Sequence, residues 1–387
     1  MATSYTLSMA IRQLNPDLII CGKQSADGDT AQTGPSLAEM LKISQITNVL
    51  KINDVGGNIS CHTRTGSVSV DLPALITVEK FANLRFPSVR AKTKDVEIWD
   101  AKKIGADIEK CGTNGSPTKV LKTYENSVGG RKCKFIYPNE LMEIINVERE
   151  KRSTKLEYVP SAKRFDEVWV IGEELEKIAR SIGKNIKVLP KQRVEKIVDF
   201  ASKHNPKVIL WPGDLWGRAN APRAAVLLKT GLCADCTHLE TDGDRLYMYR
   251  PTYSGNLMAK IKCSTNPQMA TVRVSKPDNK DVVIAGGKGV KGDFDLIKAF
   301  AKKIGADVGA SRGLVDMGIA PYHMQVGLTG KAISPRVYIP CGISGAIHHT
   351  CAIEGVGTII AINPDKNARI FQHSDFGIIS SFKGIPF

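Results

Sequence analysis

At 387 residues the chain is long enough for two or three domains with cores of their own. Its 42% hydrophobic content suits a globular protein, and no apolar run approaches the length of a bilayer span, which argues against a membrane-spanning helix. A formal net charge of +15 raises the question of nucleic acid. Lysine and arginine are dispersed, however, the densest run (Glu148 to Lys155) contains acids, and no zinc-finger or RNA-recognition signature accompanies them. The expectation is no nucleic acid, and instead an acidic protein partner or an anionic ligand.

In chain order, Met1 to Leu7 lacks the basic start and apolar centre of a secretory signal. No acidic residue precedes Asp17, as in an organelle transit peptide, but the segment reads as an amphipathic helix closing over Ala10 to Leu14. It feeds a buried strand at Leu18-Ile19-Ile20. A polar loop from Gly22 to Pro35 and a helix from Ser36 to Leu41 follow. Within that loop Gln24, Asp29, Thr30, Gln32, Thr33 and Gly34 place small and hydroxyl-bearing residues at a helix entrance. The stretch is either a second anion site or a capped strand-to-helix turn. Asn48 to Ile52, Ile59 to Arg64, Ser67 to Asp71 and Leu75 to Val78 read as short strands, with Gly56-Gly57 as a hairpin turn.

Cys111 to Ser127 reads as an extended arm, Lys132 to Ile136 as a strand, Asn139 to Ile145 as a short helix, and the charged Val147 to Lys155 as a linker. A new α/β pattern starts at Phe165, with strands at 168–171, 186–189 and 208–211 separated by helices, and short strands near 246–250 and 270–274. The nine cysteines form no framework. Cys233 and Cys236 make a lone C-x-x-C without a second ligand pair nearby, which points to ordinary reduced thiols and a cytoplasmic setting, with no metal.

The chemistry gathers between Asp281 and Asn363. An apolar run, Val282-Val283-Ile284, leads into Ala285-Gly286-Gly287-Lys288-Gly289-Val290-Lys291-Gly292 and a helix ending at Lys303-Ile304-Gly305. Strand, glycine turn and helix start suit a phosphate, because glycine lets the backbone approach and the helix's free N–H groups face negative charge. Three polar clusters then end apolar runs: Gly309 to Arg312, Gln325 to Gly330, and Cys341 to His349. Ligands of open parallel sheets sit at such carboxyl ends, so a nucleotide-like cofactor is expected there.

The stretch Gly309 to Asn363, with Ile370 to Gly377, resembles the FAD domain of the electron transfer flavoprotein α subunit. Leu232 to Leu239, Arg250 to Asn256 and Met269 to Arg273 resemble the preceding domain of that subunit. Ala10 to Phe135 is similar to the β subunit, most clearly at Asp27 to Pro35 and Leu72 to Val78. The resemblance implies an α/β protein. A doubly wound parallel-sheet FAD domain (276–387) would accompany two paired α/β nucleotide-hydrolase-like domains (1–115, N-terminally truncated, and 160–275). An arm and linker (116–159) would join them, with 118–135 embracing the FAD domain.

The implied function is relay of single electrons through bound FAD, between a flavin-dependent dehydrogenase and an acceptor, with no catalytic residues for a substrate. The implied partners are an acyl-CoA-dehydrogenase-like or other flavin or iron–sulfur redox protein, and a companion subunit. Leu84 to Arg90 stands for an abridged partner-recognition loop, with Val89 where the family has leucine. Because the β-like segment lacks the family's first strands and helices, AMP or a second FAD is not expected to be held tightly.

A reduced flavin gathers negative charge near N1 and C2=O, so a fixed cation or a hydrogen-bond donor there raises its potential. The resemblance puts Arg312 over the ring, Thr329 at N5 and His349 beside O2, with His348 at the family's glutamine position and competing for that role. Lys288 would pair with the pyrophosphate, and Ser311, Gln325, Ser344 and Asn363 would serve ribityl, phosphate or adenine contacts. Val326, Gly327, Leu328, Gly345, Ala346, Ile347, Ser381 (aspartate in many relatives) and Phe382 complete the expected site. Two other readings stand beside it. Gly287-x-Gly289-x-x-Gly292 with Asp307 suggests a nicotinamide-dependent oxidoreductase, and a degenerate scaffold subunit would bind no flavin.

Overall fold

A computed structural model describes residues 1–25, 27–79, 88, 96–125, 131–150, 160–253, 257–273, 281–290, 292–353 and 356–386. Apart from Ser88, the expected recognition loop at 84–90 lies outside the described residues, as do 151–155 of the charged stretch. The chain divides into two compact units. One holds Met1–Tyr124, Pro160–Tyr253 and Met258–Arg273; the other holds Glu125–Val159, Ser254–Leu257 and Val274–Phe387.

The first unit opens with helix α1 (Ala2–Leu14), strand β1 (Leu18–Gly22) and helix α2 (Thr33–Leu41). Strands β2 (Ser44–Val55), β3 (Asn58–Thr63), β4 (Gly66–Asp71) and β5 (Ala74–Val78) follow. They form one sheet in the order β1-β5-β2-β3-β4, parallel from β1 to β2 and antiparallel from β2 to β4. Helix α2 starts three residues before the expected Ser36. Pro35 falls in its first turn, where a missing N–H costs nothing.

Strands β6 (Thr118–Glu125) and β7 (Lys134–Phe135) divide the expected arm. The first takes an edge of a four-stranded sheet, and only the second joins the six-stranded sheet of the second unit. Helix α3 (Leu141–Glu150) runs through half of the stretch read as linker. Ile145 and Glu148 are buried there, and Glu148 accepts a 2.8 Å hydrogen bond from Thr358 Oγ1, so the charged end of the helix is held by the structure around it.

Strand β8 (Phe165–Ile171), helix α4 (Glu176–Ala179), strand β9 (Gly183–Leu189), helix α5 (Val194–His204), strand β10 (Val208–Pro212) and helix α6 (Leu215–Leu227) continue the first unit. Strands β11 (Leu232–Cys236), β12 (His238–Thr241), β13 (Leu246–Thr252), β14 (Leu257–Cys263) and β15 (Gln268–Val272) follow. A parallel sheet runs β11-β15-β10-β8-β9, and the sheet that takes β6 runs β12-β13-β14-β6. Strands β11, β12 and β14 were not expected. They are short and carry Cys, Asp, His or Lys, so their apolar pattern is broken.

At the end of β11 the register shifts, and Asp235 takes a left-handed φ of 63° that turns its carboxylate inward. Arg273 meets that carboxylate at 2.7 and 2.5 Å and Arg218 at 2.8 Å. Burial opposes ionisation, but Arg273 and then Arg218 outweigh it and bring the Asp235 pKa down to about 2. Asp235 therefore contributes stability in full above its unfolded value of 3.8, and that contribution is lost as pH falls through about 2. Asp235→Asn, which leaves the guanidiniums without this counter-charge, is expected to cost about 3–5 kcal/mol in urea denaturation at pH 7. The cost should shrink as pH falls below the carboxylate range; a variant as stable as the parent would show that the cluster holds nothing together.

The second unit continues with β16 (Val282–Gly286), α7 (Phe294–Ile304), β17 (Asp307–Ala310), α8 (Arg312–Asp316), β18 (Val337–Cys341), α9 (Ile347–Thr350), β19 (Thr358–Ile362) and β20 (Phe376–Ile378). With β7 the strands form a six-stranded parallel sheet in the order β17-β16-β18-β19-β20-β7. All residues of β16 and β18 are buried, as expected of central strands covered on both faces. Helix α7 buries Phe294, Ile297, Phe300, Ala301 and Ile304 along one stripe and stops at Gly305, whose φ of 66° few other residues adopt. Among the described residues, no helix is long and apolar enough to cross a membrane.

Candidate functional site

In the six-stranded sheet β16 lies between β17 and β18, so the chain leaves β16 to one side and returns on the other. Carboxyl ends diverge at such a switch point and open a crevice for a ligand. Here the backbones of two turns cross it. Gly287 N–H donates to Cys341 O at 2.8 Å and Gly289 N–H to Gly342 O at 3.2 Å. A Cβ on Gly287 would stand 2.2 Å from Gly342 O, so only glycine fits. The expected helix start is displaced. A 3₁₀ turn, Lys288–Val290, follows the glycines, and α7 begins after Asp293, which pairs with Lys383 at 3.0 Å. The Gly287 and Gly289 amides are spent on the turn after β18, and Lys288 stands exposed beside them with its stem across Gly313.

After β17, Ser311 N–H donates to Gly286 O at 2.8 Å, and Arg312 opens α8. The Arg312 side chain is 45% exposed and lies 3.3 Å from Asp316 Oδ2. An exposed pair of this kind holds its partners weakly, so the guanidinium can turn to an anionic ligand at little cost. Gln325 bridges to Ala310 and is 1% exposed. Its Nε2 donates to Thr329 Oγ1 at 2.7 Å, while its Oε1 is buried without a donor. Tyr322 O–H donates to Thr329 O at 2.6 Å and fixes the same turn.

His349 sits at the end of this loop with both ring nitrogens engaged. Nδ1 lies 3.1 Å from Val326 O and Nε2 lies 2.6 Å from Tyr338 Oη. The carbonyl can only accept, so Nδ1 carries the proton and Nε2 accepts from the tyrosine. Burial drives the His349 pKa down to about 4 despite the bond to Val326, and the ring is neutral at neutral pH. His348 is exposed, and its carbonyl accepts from Leu328 N–H at 2.6 Å. Gly327 has a φ of 145°, and a Cβ there would stand 2.8 Å from that carbonyl. Val326 and Leu328 are buried, while Ser344 and Ala346 are exposed on the turn after β18, between them Gly345 buried and after them Ile347 half-buried.

Asn363 uses both ends of its amide locally, donating to Ile343 O at 3.0 Å and accepting from Asp365 N–H at 2.9 Å. It shapes the turn bearing Ser344. Ser381 is exposed, and the ring of Phe382 packs in the core 5.9 Å from Phe300. Sequence reasoning missed Tyr338 and Tyr322. The first lies inside the apolar run Val337-Tyr338-Ile339, where a tyrosine gives no sign of a polar partner.

In the loop of the first unit several polar groups are engaged by the protein itself. Gln24 Nε2 donates to Asp29 Oδ1 at 3.0 Å, Gln32 Nε2 to Leu232 O at 3.2 Å, and Ser4 Oγ to Thr33 O at 3.2 Å. Gly34 has Thr77 Cγ2 where its Cβ would be, at 2.3 Å, and Thr30 is half-buried. Beside the loop Lys23 pairs with Glu79 at 3.2 Å, and burial pulls the lysine down to about 8 against that pull.

Comparison with known proteins agrees with this geometry. The family described as electron transfer flavoprotein FAD-binding domain matches residues 278–354. The electron transfer flavoprotein domain matches twice, at 1–104 and 185–291. Among curated proteins, the chain is 38% identical over 237 residues to an electron transfer flavoprotein subunit alpha of Thermoanaerobacterium thermosaccharolyticum, covering 49% of this chain and 72% of that one. It is 37% identical over 240 residues to the same subunit of Megasphaera elsdenii, covering 49% and 71%. With a Protein FixB of Clostridium saccharobutylicum it shares 36% over 235 residues, covering 49% and 70%.

The site defines a flavin-binding electron carrier, and the chain belongs to the electron transfer flavoprotein family. Its cofactor is FAD. One observation fits that group: the buried Gln325 Oε1 has no donor in the protein and can accept from a ligand. The nicotinamide reading required an acid closing the strand after the glycine turn, whereas Asp307 opens β17.

The buried imidazole has a consequence for stability. The unfolded histidine takes a proton near pH 6.5 and the folded one only near 4, so stability is full above pH 6.5 and falls as pH drops toward 4, by about 3 kcal/mol. His349→Gln should flatten that part of the stability profile, read by chemical denaturation at pH 7, 5.5 and 4. An unaltered slope would assign the loss to other groups.

Proposed function

We propose that the chain relays electrons one at a time, through one FAD at the carboxyl edge of the six-stranded sheet, between a flavin-dependent dehydrogenase and an acceptor. The convergence of Arg312, Thr329, Gln325 and the glycine crossing on one switch-point crevice carries this reading. FAD bound there supplies reversible redox chemistry by one or two electrons. Arg312 contributes the fixed positive charge that favours the reduced form, since the neutral His349 cannot. Lys288 pairs with the pyrophosphate, and Thr329 and Gln325 present their polar groups to the ring system. Ser311, Ser344 and the Val326–Leu328 backbone serve the ribityl and phosphate chain, with the turn from Gly345 to His348 beside them.

The double match of one family domain supports a β-like segment and an α-like segment fused on one chain, 1–115 and 160–275, with 276–387 as the FAD domain. A net charge of +15 suits an acidic face on the redox partner, an acyl-CoA-dehydrogenase-like or other flavin or iron–sulfur protein, and on a companion subunit. Nine free thiols fit a reducing compartment such as the cytoplasm. Because Gln24 is bonded to Asp29 within the loop and Gln32 to Leu232 O, one FAD and neither AMP nor a second flavin is expected per chain.

Denaturing extraction of purified protein and chromatography of the released nucleotides test this. Stoichiometric AMP or two flavins would overturn the single-site reading, and no flavin at all would leave the scaffold alternative. Arg312→Ala should keep FAD but lower its potential, by roughly 59 mV for a one-electron loss of about 1.4 kcal/mol. Spectroelectrochemistry reads the change, and an unaltered potential in the flavin-replete variant would remove Arg312 from its role.

A further inference from the structure

We propose that Tyr338 is a positioning residue of the flavin site: through its hydroxyl it locks the tautomer of His349, and through His349 it fixes the backbone from Val326 to Leu328. The inference rests on reading this edge as the flavin site. Tyr338 lies in the central strand β18 and is fully buried, among apolar side chains that a phenylalanine would satisfy equally well. Its hydroxyl nevertheless faces the one polar ring nearby, 2.6 Å from His349 Nε2. A buried hydroxyl is costly unless it is bonded, so this pairing is a built contact.

The chain of contacts continues in one direction. Tyr338 O–H donates to Nε2, which leaves the proton on Nδ1, and Nδ1–H donates to Val326 O at 3.1 Å. Val326 N–H donates to Ala310 O at 2.9 Å, and Leu328 N–H to His348 O at 2.6 Å. The Val326–Leu328 stretch is thus tied to the end of β17 at one point and to His348 and His349 after β18 at two. These are the two segments that carry Arg312 and His348. Only the imidazole bond depends on a proton that can move within a side chain. If the proton sat on Nε2, His349 would present a bare Nδ1 to the Val326 carbonyl, and two lone pairs would face each other. The tyrosine disfavours this, because against an Nε2–H its oxygen would have to accept and the hydroxyl would give up the bond it now donates.

The test uses the full chain with FAD bound and after its removal. Imidazole ¹⁵N signals of the parent should show a proton on Nδ1 and an unprotonated, hydrogen-bonded Nε2 in both states. A proton on Nε2, or a charged ring at neutral pH, overturns the proposal without any variant. Tyr338→Phe should keep FAD, shift the Nε2 signal and admit the other tautomer. It should also alter by about tenfold the preference of the site for reduced over oxidised FAD, roughly 59 mV for one electron. In a His349→Gln background the same change should add less than about twofold, since the tyrosine acts through the imidazole. Unchanged imidazole signals and potential in Tyr338→Phe, or full additivity with His349→Gln, would reduce Tyr338 to a core residue. A parent protein that holds no FAD would instead sink the reading of the site, while the tautomer in the apoprotein would still stand or fall on its own spectrum.

Discussion

At the carboxyl edge of the six-stranded sheet, two turns hydrogen-bond to each other through Gly287, Gly289, Cys341 and Gly342. No side chain separates them. This close approach sets the spacing of the two turns, and the start of α8 and the turn after β18 are both referred to it. Ser311 bonds back to Gly286, which positions the start of α8 and with it Arg312. Asn363 bonds to Ile343 and holds the far wall of the same turn. A methyl group at Gly287 would drive the turns apart, and the distances that follow would change together.

Charge in the site is divided between an exposed arginine and a buried neutral histidine. An arginine at the surface keeps its proton at any relevant pH and can be rearranged at little cost. A histidine without solvent gives geometry in place of charge, since burial removes the protonated form. On the proposed reading, charge comes from Arg312 and alignment of the backbone from His349.

Much of the FAD-binding unit was legible in the sequence, because its strands are continuous apolar runs that end in glycine and polar residues. Val282–Gly286, Val337–Cys341 and Thr358–Ile362 announce themselves in this way. The clusters at their ends were legible as polar turns for the same reason. What could not be read were contacts between elements. Tyr338 and His349 lie on opposite sides of a turn, and the fold alone brings hydroxyl to imidazole. Asp235 draws Arg218 and Arg273 from two different elements, and nothing local marks it as buried. Helix α3 was read too short because its last turn is charged; Glu148 becomes a helical residue only once Thr358 is there to bond it.

Strand β7 and helix α3 precede the charged stretch, yet both belong to the unit completed by residues that follow it. Phe135 packs edge-on against Phe371 at 5.2 Å, and Arg149 donates to Ile304 O. A gene divided within codons 151–159 would therefore yield two polypeptides that share one sheet and one core. Each would keep clusters of its own, but the core of the second unit would be complete only once the two associate. Covalent continuity across this stretch would spare the two pieces a search for each other.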